Sequence, residues 1–300
     1  MISIIMPTYN RFDIVQETIH KTIAINSPIE FELIVVNDGE PLPFTITHPT
    51  LSIFKNPKKG ASTARNFGAA LAKYDILFFI DDDMWITEES LSAIDKLHKS
   101  LFFEKKCVNL NWQYPDALIQ KMKQEKVGRY LLHANYHTME GRSKLQLDPS
   151  QALISTISMG SGSFVIQKSV FNAIGKYNEQ ILFQGEDIEL SKQLKAHTIA
   201  IFIYVPITCF HNQQDRLNIQ GWLDRDKRGY ESQFKFSKKE VAISPLKLMV
   251  YTGLSPFFSL ILILFHAMPN NTVFDKITFK LIGMMTAINY YKAWRNAPKN

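Results

Sequence analysis

The stretch 76–85, ILFFIDDDMW, sets five apolar residues with the character of a buried strand directly against Asp81, Asp82 and Asp83. Adjacent carboxylates at a strand end suit the binding of a hard divalent cation. Two of them about 5 Å apart, at an effective dielectric of about 20, repel by roughly 3 kcal/mol, and a bound cation removes that cost. Mg²⁺ and Mn²⁺ take oxygen ligands and keep positions open for water and substrate phosphates. The alternative is a solvated acidic turn capping the helix that starts near Thr87. A second acidic pair, Glu186-Asp187, follows Gly185 in the stretch 183–190, FQGEDIEL, and opens a helical pattern that runs to about His197. The helix dipole favours carboxylates in a first turn, which is the capping reading. The same dipole keeps a carboxylate ionised and able to accept a proton.

The elements that would position these groups are legible upstream. Residues 2–6 form an apolar run that ends at Pro7-Thr8-Tyr9-Asn10, a strand followed by a turn. Asp13 can cap a helix whose inward positions Ile14, Val15, Thr18, Ile19 and Ile23 recur at helical spacing. Residues 31–36 give the next strand, which stops at Asn37-Asp38-Gly39. A third run, 51–54, leads through Asn56-Pro57 to Gly60, and 61–73 is Ala-rich and helical. Alternating strands and helices predict a mostly parallel sheet with helices on its faces. Ligands in such sheets bind beyond the carboxyl ends of the strands, where 7–10, Asp38 and 81–83 all fall.

Bulk properties narrow the classes. The chain has 300 residues, 46% hydrophobic, enough for one large α/β domain with an appendage or for two domains. Cys107 and Cys209 are its only cysteines, so neither a disulfide framework nor a cysteine metal cluster is expected, and a reducing setting fits. The net charge is +6 and the pI about 9.1, but the basic residues are spread out, and no nucleic-acid partner is expected. The opening residues ISIIM carry no basic n-region or cleavage site, so a secretory signal is not expected. There is no internal repeat, no G-x-G-x-x-G after the first strand and no G-x-x-x-x-G-K-[ST], which speaks against a dinucleotide oxidoreductase or a P-loop NTPase.

Five segments in order carry a resemblance: S-I-I-M-P-T-Y-N-R at 3–11, V-V-N-D-G at 35–39, G-A-S-T-A-R-N-F-G at 60–68, I-D-D-D at 80–83 and G-E-D-I-E-L at 185–190. Together they resemble the family 2 glycosyltransferases with a GT-A fold, from residue 2 to about residue 212. The resemblance implies a Rossmann-like, mixed and mostly parallel sheet flanked by helices. It also implies that Pro7, Tyr9, Asn10, Arg11 and Asp38 hold the nucleobase, with Arg65 near the nucleotide. In the acidic DXD motif, Asp82 would take the ribose, and Asp83 with Asp81 the divalent metal, Mn²⁺ or Mg²⁺. His211 falls where family members place a histidine that completes the metal site, and Mn²⁺ accepts imidazole more readily than Mg²⁺ does. Asp187 would be the catalytic base, with Glu186 beside it as a binding or orienting group. Each has a plainer alternative: an Asx turn at Asp38, a helix-surface cation at Arg65, a structural histidine at 211. Small residues at Gly160-Ser161-Gly162-Ser163 would let sugar and acceptor approach the backbone, or would form a β-bulge.

Residues 87–101 read as an exposed amphipathic helix, 115–132 as a second, lysine-rich one, and 154–166 and 199–205 as β-rich. Trp112, Tyr114, His133, His137 and Arg142 are candidates for acceptor contacts, and Arg216, Arg225, Lys227 and Arg228 for closing over a diphosphate. Processive relatives carry Q-x-x-R-W near here, whereas this chain reads Gln220-Gly221-Trp222-Leu223-Asp224-Arg225. Addition of a single sugar is therefore expected.

Residues 248–268 contain no Asp, Glu, Lys or Arg, a run long enough to span about 30 Å of hydrocarbon as a helix, although Gly253, Pro256 and His266 interrupt it. Phe274, Ile277, Leu281, Met284, Ile288 and Tyr291 then recur at helical spacing beside Lys276, Lys280, Lys292 and Arg295, as in interfacial helices. The alternative is a pair of helices packed on the protein, or a dimer contact. The sequence thus predicts a catalytic domain over 1–240 and a helical, membrane-associating region over 241–300, peripheral or single-span, at the cytoplasmic side of the inner membrane. The expected function is metal-dependent, inverting transfer of one sugar from a nucleotide diphosphate sugar, a UDP-sugar, to a hydroxyl of a carbohydrate or lipid-linked acceptor, in surface polysaccharide or glycolipid assembly. A nucleotidyltransferase would instead release pyrophosphate and wants a Gly-rich basic first loop. A binding or scaffold protein that kept the fold would lack metal-dependent nucleotide binding.

Overall fold

The computed structural model describes residues 1–182, 184–237, 244–254, 256–258, 261 and 272–297. The chain forms two compact units. The first comprises Met1–Pro115, Thr138–Leu182 and Glu186–Asn212, and the second Asp116–His137, Phe183–Gly185 and Gln213–Asn300.

The first unit is built on a nine-stranded sheet of β1 (Ile2–Thr8), β2 (Phe31–Asn37), β3 (Leu51–Lys55), β4 (Ile76–Ile80), β5 (Met84–Ile86), β6 (Lys106–Gln113), β7 (Leu153–Thr156), β8 (Ser163–Gln167) and β9 (Ala200–His211). The strand order is β3-β2-β1-β4-β8-β6-β9-β5, with β7 paired to β9. Strands β3, β2, β1, β4, β6 and β9 run one way, and β8, β7 and β5 run against them. The sheet is therefore mixed and mostly parallel, as the alternating pattern predicts. Strand β4 is apolar at every position because it is central and covered on both faces. The carboxyl ends of β1, β2, β4 and β9 meet along one edge, which gathers residues far apart in sequence.

Helices α1 (Phe12–Ile23), α2 (Ala61–Leu71) and α3 (Glu88–Lys99) cover the sheet. Asp13 was expected to cap α1, but it lies in the first turn, and Arg11 takes the cap position without a side-chain cap bond. The Arg11 guanidinium is engaged elsewhere, with the acidic triplet. Helix α3 opens with a capping box between Thr87 and Ser90. Below the acidic edge, Phe79 packs on Phe171 at 5.1 Å and edge-on to Tyr177 at 5.6 Å, inside a core that includes Ile5, Val36, Leu77 and Phe164.

Three expectations change. The β-rich run 154–166 is two strands, because the Gly-Ser-rich segment between them leaves the sheet. The strand expected at 199–205 continues to His211. Pro206 does not stop it, because the pairing with β6 shifts register just there, at Leu110/Asn111 and Asn111/Trp112, and an irregularity tolerates a residue without an N–H. The single helix expected over 115–132 is two, α4 (Asp116–Gln124) and α5 (Lys126–His133). A Cβ at Gly128 would lie 2.3 Å from the Met122 carbonyl oxygen, so only glycine lets α5 fold back this closely.

The second unit holds α4 and α5 together with α9 (Ile219–Ser237), α10 (Pro245–Gly253) and α11 (Thr272–Asn296); the short helices α6 (Met139–Ser143), α7 (Lys168–Ala173) and α8 (Glu186–Ala196) belong to the first. Leu281 and Ile282 of α11 are buried with Leu223 of α9, and Ile277 and Met285 pack on them. Asn289 donates to the Leu223 carbonyl at 2.9 Å, and Arg129 of α5 makes a two-pronged pair with Asp275 at 2.7 and 2.9 Å. The apolar stripe on α11, expected to face an interface, is thus largely spent on internal helix packing. Ten of the 21 residues of the apolar run 248–268, namely 255, 259, 260 and 262–268, lie outside the described residues. Among the described residues, no helix is long and apolar enough to cross a membrane.

Candidate functional site

Strand β4 delivers the acidic triplet, and the three carboxylates part company at once. Asp81 turns toward α2 and accepts from Arg65 Nη2 at 2.9 Å. Asp82 turns inward toward β1, accepting from the Thr8 hydroxyl at 2.8 Å and from Arg11 Nη1. Asp83 is fully buried; it faces His211 Nε2 at 3.0 Å and accepts from Arg11 Nη2 at 2.9 Å. Burial pushes the Asp82 carboxyl up to about 6, against the pull of Arg11.

Asp81, Asp83 and His211 each offer a ligand atom, all within 4.8 Å of one another. Two carboxylates and an imidazole suit Mn²⁺ or Mg²⁺. The antiparallel pairing of β5 with β9 sets Met84 opposite His211, and the Asn212 N–H bonds the Asp83 carbonyl at 2.7 Å. Both lock the histidine beside the aspartate. Trp112 and Tyr114 stand edge-on to the imidazole at 4.8 and 5.8 Å. These two candidates for acceptor contacts are buried and wall the histidine in instead. A Cβ at Gly162 would sit 3.0 Å from Asp81 Oδ2, so the small residue there leaves room for the carboxylate. The residues fit a divalent cation.

The second acidic pair lies at the start of α8. Glu186 accepts from Arg65 Nη1 at 3.1 Å, so one buried guanidinium joins the metal candidates to the base candidates. Burial works against the Arg65 charge, but Glu186 and Asp81 outweigh it and hold the guanidinium firmly protonated. Arg65, expected near the nucleotide, is committed to these two carboxylates and lies 5.5 Å over the Tyr177 ring. Asp187 is half-buried, and its Oδ1 accepts from both the backbone N–H and the hydroxyl of Ser161. Tyr177 donates in turn to the Ser161 hydroxyl at 3.1 Å. Burial and the neighbouring Glu186 push the Asp187 carboxyl up to about 7, a suitable range for a group that takes a proton near neutral pH.

The loops after β1 and β2 are laced together. Asn10, at φ 52°, accepts the Glu40 N–H at 2.8 Å. A Cβ at Gly39 would lie 2.1 Å from the Asn10 amide oxygen. Asn37, not Asp38, makes the Asx-type bond here, accepting the Gly39 N–H at 3.0 Å. Asp38 instead accepts from the Gly60 N–H with both oxygens, at 3.0 and 3.1 Å, and from the Asn56 amide at 2.6 Å. It thereby fixes the start of α2, and with it Arg65. Pro7 lies within β1, and Tyr9 is 51% exposed with Lys59 5.6 Å over its ring.

Ser161 and Tyr177 were not singled out by their chemistry in the sequence. The glycines around Ser161 marked a close approach, and nothing marked Tyr177. A cavity of about 420 Å³ beside β3, lined by Leu42, Phe44, Ile46 and Phe54 among others, contains none of these acidic groups.

Residues 3–100 match the family model for glycosyl transferase family 2. The chain is 34% identical over 106 residues to the poly(ribitol-phosphate) beta-N-acetylglucosaminyltransferase TarP of Staphylococcus aureus (strain N315), covering 31% of this chain and 31% of that protein. It is 21% identical over 224 residues to the O-antigen biosynthesis protein RfbC of Myxococcus xanthus, covering 71% of this chain and 17% of that one. The chain thus spans less than a third of the length of either relative. Among solved structures, S. aureus TarS 1-349 in complex with UDP-GlcNAc superposes with a TM-score of 0.51 at 14% identity, over 98% of this chain and 90% of that one. GalNAc-T7 with UDP, GalNAc and Mn²⁺ gives 0.51 at 14% identity, over 71% and 43%. At such identities these structures speak for the fold. Residues 3–100 are thus similar to glycosyl transferase family 2, and the fold is GT-A-like.

Proposed function

We propose that the chain is a metal-dependent, inverting glycosyltransferase that moves one sugar from a nucleotide diphosphate sugar, a UDP-sugar, to a hydroxyl of a carbohydrate or lipid-linked acceptor. Its place would be the cytoplasmic face of the inner membrane, in surface polysaccharide or glycolipid assembly. The observation that carries the reading is Arg65, whose guanidinium holds Asp81 of the metal cluster and Glu186 of the base pair at 2.9 and 3.1 Å. A transferase needs these two functions side by side, one at the leaving diphosphate and one at the incoming hydroxyl. UDP in the TarS and GalNAc-T7 structures supports the choice of nucleotide, and Mn²⁺ in the latter supports the metal.

Asp81, Asp83 and His211 would hold the cation, which when bound supplies positive charge to the diphosphate as it leaves. Asp187 accepts the acceptor's proton. Its Oδ1 is held by Ser161, so the carboxylate is oriented before substrate arrives, and positioning of this kind lowers the barrier without further reorganisation. Glu186, tied to Arg65, orients the pair. Tyr9 and the laced loop at 10 and 39–40 would border the base.

Calorimetric titration with UDP, GDP and dTDP, each with Mn²⁺ and with EDTA, tests the reading. Selective, metal-dependent binding of UDP is expected. Absence of binding by every nucleotide would overturn it in favour of a scaffold role.

A further inference from the structure

We infer that α10 is a docking face for an anionic lipid bilayer, with the second unit lying on the membrane surface rather than crossing it. The inference rests on the membrane-side transferase reading and adds the surface that makes the contact.

Helix α10 has two unlike faces. Tyr251 stacks on Tyr291 of α11 with centroids 5.2 Å apart and rings 15° from parallel, which fixes the inner face. Leu246, Met249 and Val250 are 66, 66 and 41% exposed, and Leu254 and Phe257 continue at 46 and 58%. Leu246, Met249 and Val250 fall on one face of α10 at helical spacing, and Leu254, its C-cap, and Phe257 lie exposed just beyond its end. Large apolar side chains scattered singly over a surface need no explanation, whereas a contiguous stripe calls for a partner. The apolar residues of α11 already have one in α9.

Charge selects the partner. The second unit carries 17 Lys and Arg against 8 Asp and Glu, a formal +9, whereas the first carries 17 against 20, a formal −3. All the excess positive charge of the chain thus belongs to the unit that presents the stripe, and Lys247 lies exposed within it. An apolar helix face on a cationic body is the combination that binds anionic membrane surfaces. A second copy of the chain seated on the same stripe would bring two +9 units together, which their repulsion opposes.

The test uses the full chain in flotation with vesicles of phosphatidylcholine alone and of phosphatidylcholine mixed with phosphatidylglycerol. The variants are the triple substitution Leu246→Ser, Met249→Ser, Phe257→Ser and, as a control, Ile157→Ser, a 92% exposed residue of the first unit. The expected result is co-flotation with phosphatidylglycerol-containing vesicles only, weakened by salt and reduced about tenfold or more in the triple variant. The control should float as the parent does. Thermal melts and UDP binding with Mn²⁺ are measured on every variant and should not change; a lost nucleotide site would show there and not in flotation. Equal flotation of the parent on both vesicle types, or undiminished flotation of the triple variant, would overturn the inference. So would sedimentation showing that the triple substitution converts a dimer to a monomer, which would assign the stripe to a second copy.

Discussion

Arg65 Nη1 and Glu186 Oε1 lie 3.1 Å apart although 121 residues separate them in the chain. The same side chain, 5% exposed, reaches Asp81 with its other nitrogen. A buried cation shared by two carboxylates sets the spacing between the metal candidates and the base candidates, and it also neutralises part of their mutual repulsion. Replacing Arg65 with Ala leaves Glu186 buried without its counter-charge, and breaking such a pair costs about 3 kcal/mol or more. Chemical denaturation should read that loss, and Arg65→Lys should recover only part of it, because an ammonium cannot span both partners as a planar fork does.

Asp187→Asn should lower kcat by about 10² to 10⁴-fold, the usual contribution of a positioned proton acceptor, while affinity for UDP with Mn²⁺ stays within about twofold. Steady-state kinetics paired with calorimetry measure both. Turnover retained at the parent rate would remove Asp187 from the base role.

Ser161→Ala and Tyr177→Phe probe the orientation of the Asp187 carboxylate. Each removes one hydroxyl from the series Tyr177, Ser161, Asp187. The expected effect is a fall in kcat of about tenfold with the KM for the donor unchanged, since the lost interaction bears on the acceptor's proton and not on nucleotide binding. A rise in KM alone would give these residues a different task.

His211→Ala should weaken Mn²⁺-dependent UDP binding by at least about tenfold, the scale on which even outer-sphere partners of a metal act. EDTA should have the same effect on the parent chain and little further effect on the variant. Asp83→Asn should behave likewise, and it also deprives Arg11 and His211 of a shared partner.

The raised Asp187 carboxyl predicts a pH dependence of stability in the metal-free chain. Its folded value, about 7, lies above its ordinary value of 3.8, so between the two the folded chain holds a proton that the unfolded chain has released. The contribution of this group is therefore most favourable at low pH and is lost as pH rises through about 7. Melting temperatures of the parent and of Asp187→Asn, measured across pH 4 to 8 in EDTA, should diverge in favour of the variant as pH rises.

How far the sequence spoke for itself differs by element. The alternation from Ile2 to Ile80 marked β1 to β4, because central parallel strands are apolar throughout and their turns carry Asn, Asp and Gly. The edge on which 7–11, Asp38 and 81–83 meet followed from that topology. The internal attachments of these residues did not. Whether Asp38 points to a ligand or to the Gly60 N–H, and whether Arg65 faces solvent or Glu186, depends on pairings more than twenty residues apart that leave no periodic trace. Tyr177 gave no signal at all, being one aromatic among core aromatics until its hydroxyl meets Ser161. The extension of β9 through Pro206 was hidden because a proline is tolerated there only by an irregularity in the partner strand. The apolar pattern of α11 was visible, but pattern alone does not tell a lipid-facing helix from one packed against α9.

The long reach of β9 imposes an order in time. Asp83 is synthesised 128 residues ahead of His211, which at roughly 5–20 residues per second is about 6 to 26 seconds on the ribosome. Throughout that interval the nascent chain has both carboxylates of the candidate metal cluster but not the His211 imidazole. If these three residues hold a cation, their full donor set exists only late in synthesis, and a chain released before residue 211 would lack the imidazole of that set.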